Sequence, residues 1–70
     1  MKVWVVTTGH YEDKGVEIDA WAALTEEQVI IDLINAYDLD SGPLPTPKTL
    51  EQIHELIEPY AWFRAEQMEV

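Results

Sequence analysis

Val16-Glu17-Ile18-Asp19-Ala20 alternates apolar with acidic side chains, the period-2 signature of a strand with one wet face. The alternation sets Val16, Ile18 and Ala20 on one side and Glu17, Asp19 and Trp21 on the other. Upstream, Lys2-Val3-Trp4-Val5-Val6-Thr7-Thr8 is rich in the β-branched and aromatic residues that suit a pleated surface. Between the two runs, Gly15 closes the polar stretch Glu12-Asp13-Lys14, so residues 2–23 read as a β-hairpin that turns there. If Val3, Val5, Val16 and Ile18 face the core, Trp4, Val6 and Trp21 line the opposite side of the sheet.

Beyond the hairpin the period changes. Thr25-Glu26-Glu27-Gln28 is a capping box, with Thr25 accepting from free amides and Gln28 reaching back, and two glutamates at the positive end of the dipole. Val29, Ile30, Leu33, Ile34 and Tyr37 then form one helical stripe, predicting a helix over residues 26–38. Pro43, Pro45 and Pro47 keep a linker over residues 39–48 extended. Thr49 and Gln52 offer a second box, and Leu50, Ile53, Leu56 and Ile57 give a second helix over residues 49–58, ended by Pro59.

The tail over residues 61–70 reads as a third strand through Trp62, Phe63 and Val70. Arg64 and Glu66 interrupt its apolar face, which predicts a bulge or an edge position. A lone hairpin is marginally stable in water, and a third strand completes a small sheet. The expected fold is α+β, in the order ββααβ: a small antiparallel three-stranded sheet with two helices packed on one face. Its expected core is Val5, Ile18, Leu33, Ile34, Ile53 and Ile57.

The chain has 70 residues, 14 Asp+Glu against 4 Lys+Arg, and no cysteine. That is room for a single domain, whose core alone supplies roughly 3–5 kcal/mol. Without cysteine there are no disulfides, thiolate zinc sites or thiol nucleophiles. A hydrophobic share of 47% argues for a folded domain despite the charge. The net charge of −10 repels nucleic acid and anionic membrane alike and favours basic partners. The apolar run from Val3 stops at Thr7, too short for a signal-peptide core or a membrane span. The expected setting is cytoplasmic.

Motifs for chemistry are incomplete. His54-Glu55-Leu56-Ile57-Glu58 looks like half of a zinc-protease helix, but Glu58 stands where the second histidine belongs. Glu51-Gln52-Ile53-His54 matches one Glu-x-x-His of a di-iron bundle, which needs two. Asp38-Leu39-Asp40-Ser41-Gly42 opens like a calcium loop, yet Thr49 occupies the twelfth position where a bidentate Glu is required. Ser41 has no histidine near it in sequence. No catalytic residue, metal or cofactor is expected, and the chain reads as a binding protein rather than an enzyme.

Two patterns point to binding. Glu51, Glu55 and Glu58 fall at i, i+4 and i+7, a continuous acidic stripe, while Glu17 and Asp19 lie about 7 Å apart along one strand face. Such spacings approach those of successive phosphates on a nucleic-acid strand. Trp4 and Trp21, among the three tryptophans, are the expected anchors, since aromatic residues set among polar ones mark binding hot spots.

Lys2-Val3-Trp4-Val5-Val6-Thr7-Thr8-Gly9-His10-Tyr11-Glu12 resembles the opening of small phage and bacterial proteins that begin with a Lys-Val-Tyr-Val-Leu-Thr-His-Gly-Tyr-Glu type strand. Those proteins continue with a second strand, a capped helix and an acidic closing strand rich in Phe and Tyr. The likeness covers the first 30 residues and, weakly, Tyr60 to Glu69; the Pro-rich linker and second helix differ. It implies the fold and a phage or bacterial setting, and it brings no function. In size, acidity and lack of cysteine the chain is also similar in character to small phage inhibitors such as anti-CRISPR proteins, with no site residue carried over.

The leading expectation is a small acidic inhibitor that binds the basic nucleic-acid-binding surface of a host protein complex, a CRISPR-Cas effector above all. Glu17, Asp19, Glu51, Glu55 and Glu58 would stand in for phosphates, with Trp4 and Trp21 as anchors. The alternative is a structural or regulatory module that self-associates through the Trp4/Trp21 face, as a homodimer. Salt separates the two, because phosphate mimicry weakens with ionic strength and an apolar seam does not.

Overall fold

The computed structural model describes residues 1–12 and 15–70, with only the backbone of Glu12. The strands β1 (Lys2–Glu12) and β2 (Gly15–Ala23) are followed by helices α1 (Glu26–Tyr37) and α2 (Leu50–Ile57) and by strand β3 (Ala61–Glu69). The sheet is antiparallel with order β2-β1-β3, so the expected ββααβ fold is the observed one. Asp13 and Lys14 of the expected turn lie outside the described residues; Gly15, just after them, takes φ 140°, which side chains rarely allow.

β1 is central and is paired along both edges. It pairs with β2 from Trp4↔Ala23 to Glu12↔Gly15, and with β3 from Lys2↔Glu69 to His10↔Ala61. The β3 register runs without interruption, so Arg64 and Glu66 are accommodated by the edge position and not by a bulge.

Both helices start where their threonines stand. The Gln28 N–H donates to Thr25 Oγ1 and the Gln52 N–H to Thr49 Oγ1, each at 3.1 Å. Neither box closes as expected: Gln28 Nε2 turns to Asp32 at 2.9 Å, and Gln52 Oε1 accepts from the Lys48 N–H at 2.7 Å. α1 ends at Asp38, which takes the left-handed conformation at φ 54° and accepts through its carboxylate from the Ser41 hydroxyl at 2.9 Å.

The helices pack on the face made by Trp4, Val6 and Thr8 of β1, Trp21 and Ala23 of β2, and Ala61, Phe63 and Ala65 of β3. Val6, Val29, Leu33 and Ile53 are fully buried, with Ala23, Ile57 and Ala61 completing the core and Ile34 packed on it. This inverts the expected side of the sheet. Val5 is half-buried on the uncovered face, where Ile18 is 62% and Val16 49% exposed. Trp4 and Trp21 pack against the core instead of lining an open face.

Area explains the inversion. Three partly buried aromatics, Trp4, Trp21 and Phe63, lie on the covered face against Trp62 and the exposed Tyr11 on the other, and an aromatic ring covers more area than a Val or Ile. The helices do not extend over the hairpin end of β2, where every residue from Gly15 to Ala20 is exposed. Glu17 and Asp19 therefore share the parity of Trp21 without being buried beside it. The result is a two-layer slab only 16 Å thick, with one sheet face open.

Candidate functional site

The acidic stripe is built as α2 dictates. Ile53 and Ile57 turn into the core, which puts Glu51 and Glu55 on the outer surface, with Glu58 following as the C-cap. All three are exposed, and among the described residues none is in a salt bridge. The carboxylates that do pair are elsewhere: Glu69 with the Met1 ammonium at 3.0 Å and Glu66 with Arg64 at 2.6 Å.

The two halves of the expected acidic site are not brought together. α2 packs over β3, at one edge of the sheet, while Glu17 and Asp19 belong to β2, at the other. They share the helix-bearing side of the slab but form separate patches. Trp4 and Trp21 are diagonal neighbours on that side, beneath the helices. The Trp21 Nε1 is buried, and among the described residues it has no hydrogen-bond partner.

Next to the stripe runs a cleft of about 510 Å³ between α2 and the Pro-rich linker, with Leu44, Pro45, Pro47 and Leu56 as apolar walls and Lys48 and Glu55 at its polar points. In the sequence the linker reads only as an extended spacer. Pro47, buried against the domain, is the residue that turns it into a wall.

The histidines are engaged by rings. His54 meets Phe63 edge-on at 5.8 Å, and His10 lies 4.8 Å from the Tyr37 ring. Among the described residues no three His, Cys, Asp or Glu side chains are grouped to hold a metal ion, and no helix is long and apolar enough to cross a membrane. A polar cluster the sequence did not announce ties α1 to the sheet: the Tyr37 hydroxyl donates to the Trp62 carbonyl at 3.3 Å and is hydrogen-bonded by Thr8, which is itself buried. Burial pushes the Tyr37 phenol above its usual range and the Asp19 carboxylate adds to this, while the Thr8 bond opposes it.

On the uncovered face the order is different. Val3, Val5, Thr7, Gly9 and Tyr11 of β1 run down its middle, flanked by Val16, Ile18, Ala20 and Ala22 on β2 and by Trp62, Arg64, Glu66 and Met68 on β3. The Trp62 indole lies flat over Gly9: a Cβ there would come under 3.0 Å from its Cε2, Nε1 and Cζ2. Glu66 is the one side-chain carboxylate on this face among the described residues, and Arg64 neutralises it. In comparisons with known proteins, no family model, no curated protein and no solved structure matches the chain.

Proposed function

We propose that this chain is a non-catalytic, stoichiometric inhibitor that occupies the basic nucleic-acid-binding surface of a larger protein or complex, with a bacterial CRISPR-Cas effector as the target class. One observation supports the reading above the others: charge is segregated. Among the described residues the open sheet face holds a single side-chain carboxylate, paired with Arg64, while Glu51, Glu55 and Glu58 stand exposed and outside any salt bridge on the helix side of a chain with net charge −10. Like charges one turn apart disfavour the free helix, so a complementary basic surface is what would offset them.

The contact is centred on α2. The apolar walls of the cleft beside Glu55 fit the methylene stem of a partner lysine or arginine, whose head group then meets the carboxylates. Trp4 and Trp21 are needed for the core and drop out as anchors; Leu44 and Leu56, exposed next to the stripe, take that place. Glu17 and Asp19 form a second, outlying patch.

The test begins with capture from a nuclease-treated bacterial extract, followed by purification of the captured protein and competition with its own nucleic acid. Changing Glu51, Glu55 and Glu58 to Gln should weaken binding far more than the same change at Asp32, Asp40 and Glu69, and should flatten the salt dependence. Equal losses from both triples would reduce the effect to bulk charge. A captured protein that keeps its nucleic acid in the presence of the chain would end the mimicry reading.

A further inference from the structure

We infer that the open sheet face is the seam of a homodimer. The face is neutral and largely apolar on a chain with net charge −10, which decides what can cover it. A basic partner is drawn to the carboxylates of the helix side. A neutral apolar surface fits another of its kind, and the copy of this chain present at equal concentration supplies one.

The pattern of side chains is self-complementary. Facing pairs set the levels along the sheet: Met68 beside Val3; Glu66 and Ala22 beside Val5; Arg64 and Ala20 beside Thr7; Trp62 and Ile18 beside Gly9. A twofold axis lying across the strands, between the levels of Val5 and Thr7, stacks two sheets face to face. It brings Arg64 of each copy over Glu66 of the other, turning two intrachain pairs into a four-membered network. It also sets Met68 and Val3 of each copy against the Trp62 ring that covers Gly9 in the other. Both charges of the face thus meet their opposites.

The area is adequate and small. Three strands about 14 Å across and about 30 Å long give roughly 400 Å² of plan area per copy, so about 1,000 Å² for the pair once side-chain relief is counted, at the lower bound for a specific interface. An interface of this size makes a weak, concentration-dependent dimer. Pairing through the sheet edges is disfavoured, because Glu17 and Asp19 lie along β2 and Arg64 and Glu66 along β3.

Sedimentation equilibrium on the full chain between about 1 µM and 1 mM tests this, in 50 mM and 500 mM salt. The wild type should pass from monomer to dimer, and the higher salt should favour the dimer by screening the repulsion between two acidic copies, opposite to its effect on a basic partner. Arg64→Glu should raise the dimer Kd at least tenfold, and the swap Arg64→Glu/Glu66→Arg should restore it. Ile18→Asp should raise Kd similarly with the circular dichroism of the monomer unchanged, since Ile18 is already exposed, whereas Leu44→Asp in the linker should not. A wild type that stays monomeric at 1 mM in both salts overturns the inference. So does a dimer indifferent to Arg64→Glu and Ile18→Asp, or one lost equally in Leu44→Asp.

Discussion

Replacing Gly9 by Ala should destabilise this protein, against the ordinary preference of a strand for any residue over glycine. In an open strand the change gains roughly 0.5–1 kcal/mol from the lost freedom of the unfolded chain. Here the new methyl would occupy the space of the Trp62 indole, at separations under 3.0 Å from three of its ring atoms. The ring must tilt off the sheet, and overpacking of this kind costs about 1–3 kcal/mol. The net loss is therefore up to about 2.5 kcal/mol, or up to about 20 °C in Tm for a domain of this size. Thermal and urea melts followed by far-ultraviolet circular dichroism measure it. The decisive comparison is made in a Trp62→Ala background, where the obstructing ring is gone. There Gly9→Ala should become neutral or stabilising, leaving a coupling of at least 1 kcal/mol between the two sites. Equal effects of Gly9→Ala in both backgrounds would refute the account of Trp62 as a cover for Gly9.

Trp21→Asp should unfold the domain, because it places a charge against the core, while Trp21→Phe should cost under about 2 kcal/mol, since it removes the unpartnered Nε1 along with some volume; a folded Trp21→Asp in a chemical melt would show the ring to be dispensable. Tyr37→Phe should lower stability by about 1–2 kcal/mol at neutral pH through loss of the bonds to Thr8 and the Trp62 carbonyl. Because burial raises the folded pKa of Tyr37 above its unfolded value of 10.0, its stabilising contribution is complete below that pH and is lost as pH rises through the folded value. Melts between pH 8 and pH 12 should accordingly fall less steeply for Tyr37→Phe than for the wild type. Thr49→Ala should cost about 1 kcal/mol by freeing the Gln52 amide, measurable as a shift in the urea midpoint at constant slope.

Local chemistry was sufficient for the elements and their order. Threonine caps at Thr25 and Thr49 and prolines in the linker act within a few residues of where they stand, so they can be read in sequence. The 3.6-residue stripes also named Leu33, Ile53 and Ile57 as core, because each helix has one apolar face and no second candidate for burial. The acidic stripe followed from the same geometry by exclusion.

Which face of the sheet is buried was not local. Val3, Val5 and Thr7 alternate with Trp4, Val6 and Thr8, so β1 is apolar enough on both sides for either to be covered. In β2 the acids of Glu17 and Asp19 pointed to the wrong side, because they share a parity with Trp21 but lie beyond the reach of the helices. The choice belongs to the docked assembly: the helices cover Trp4, Trp21 and Phe63 together, a set spread over three strands that no single strand contains. The same docking created what the sequence could not show, a charge-poor sheet face with the Trp62 ring laid over Gly9. Cross-strand register alone put Trp62 beside Gly9, and the separation of Glu17 and Asp19 from α2 arose from strand order alone.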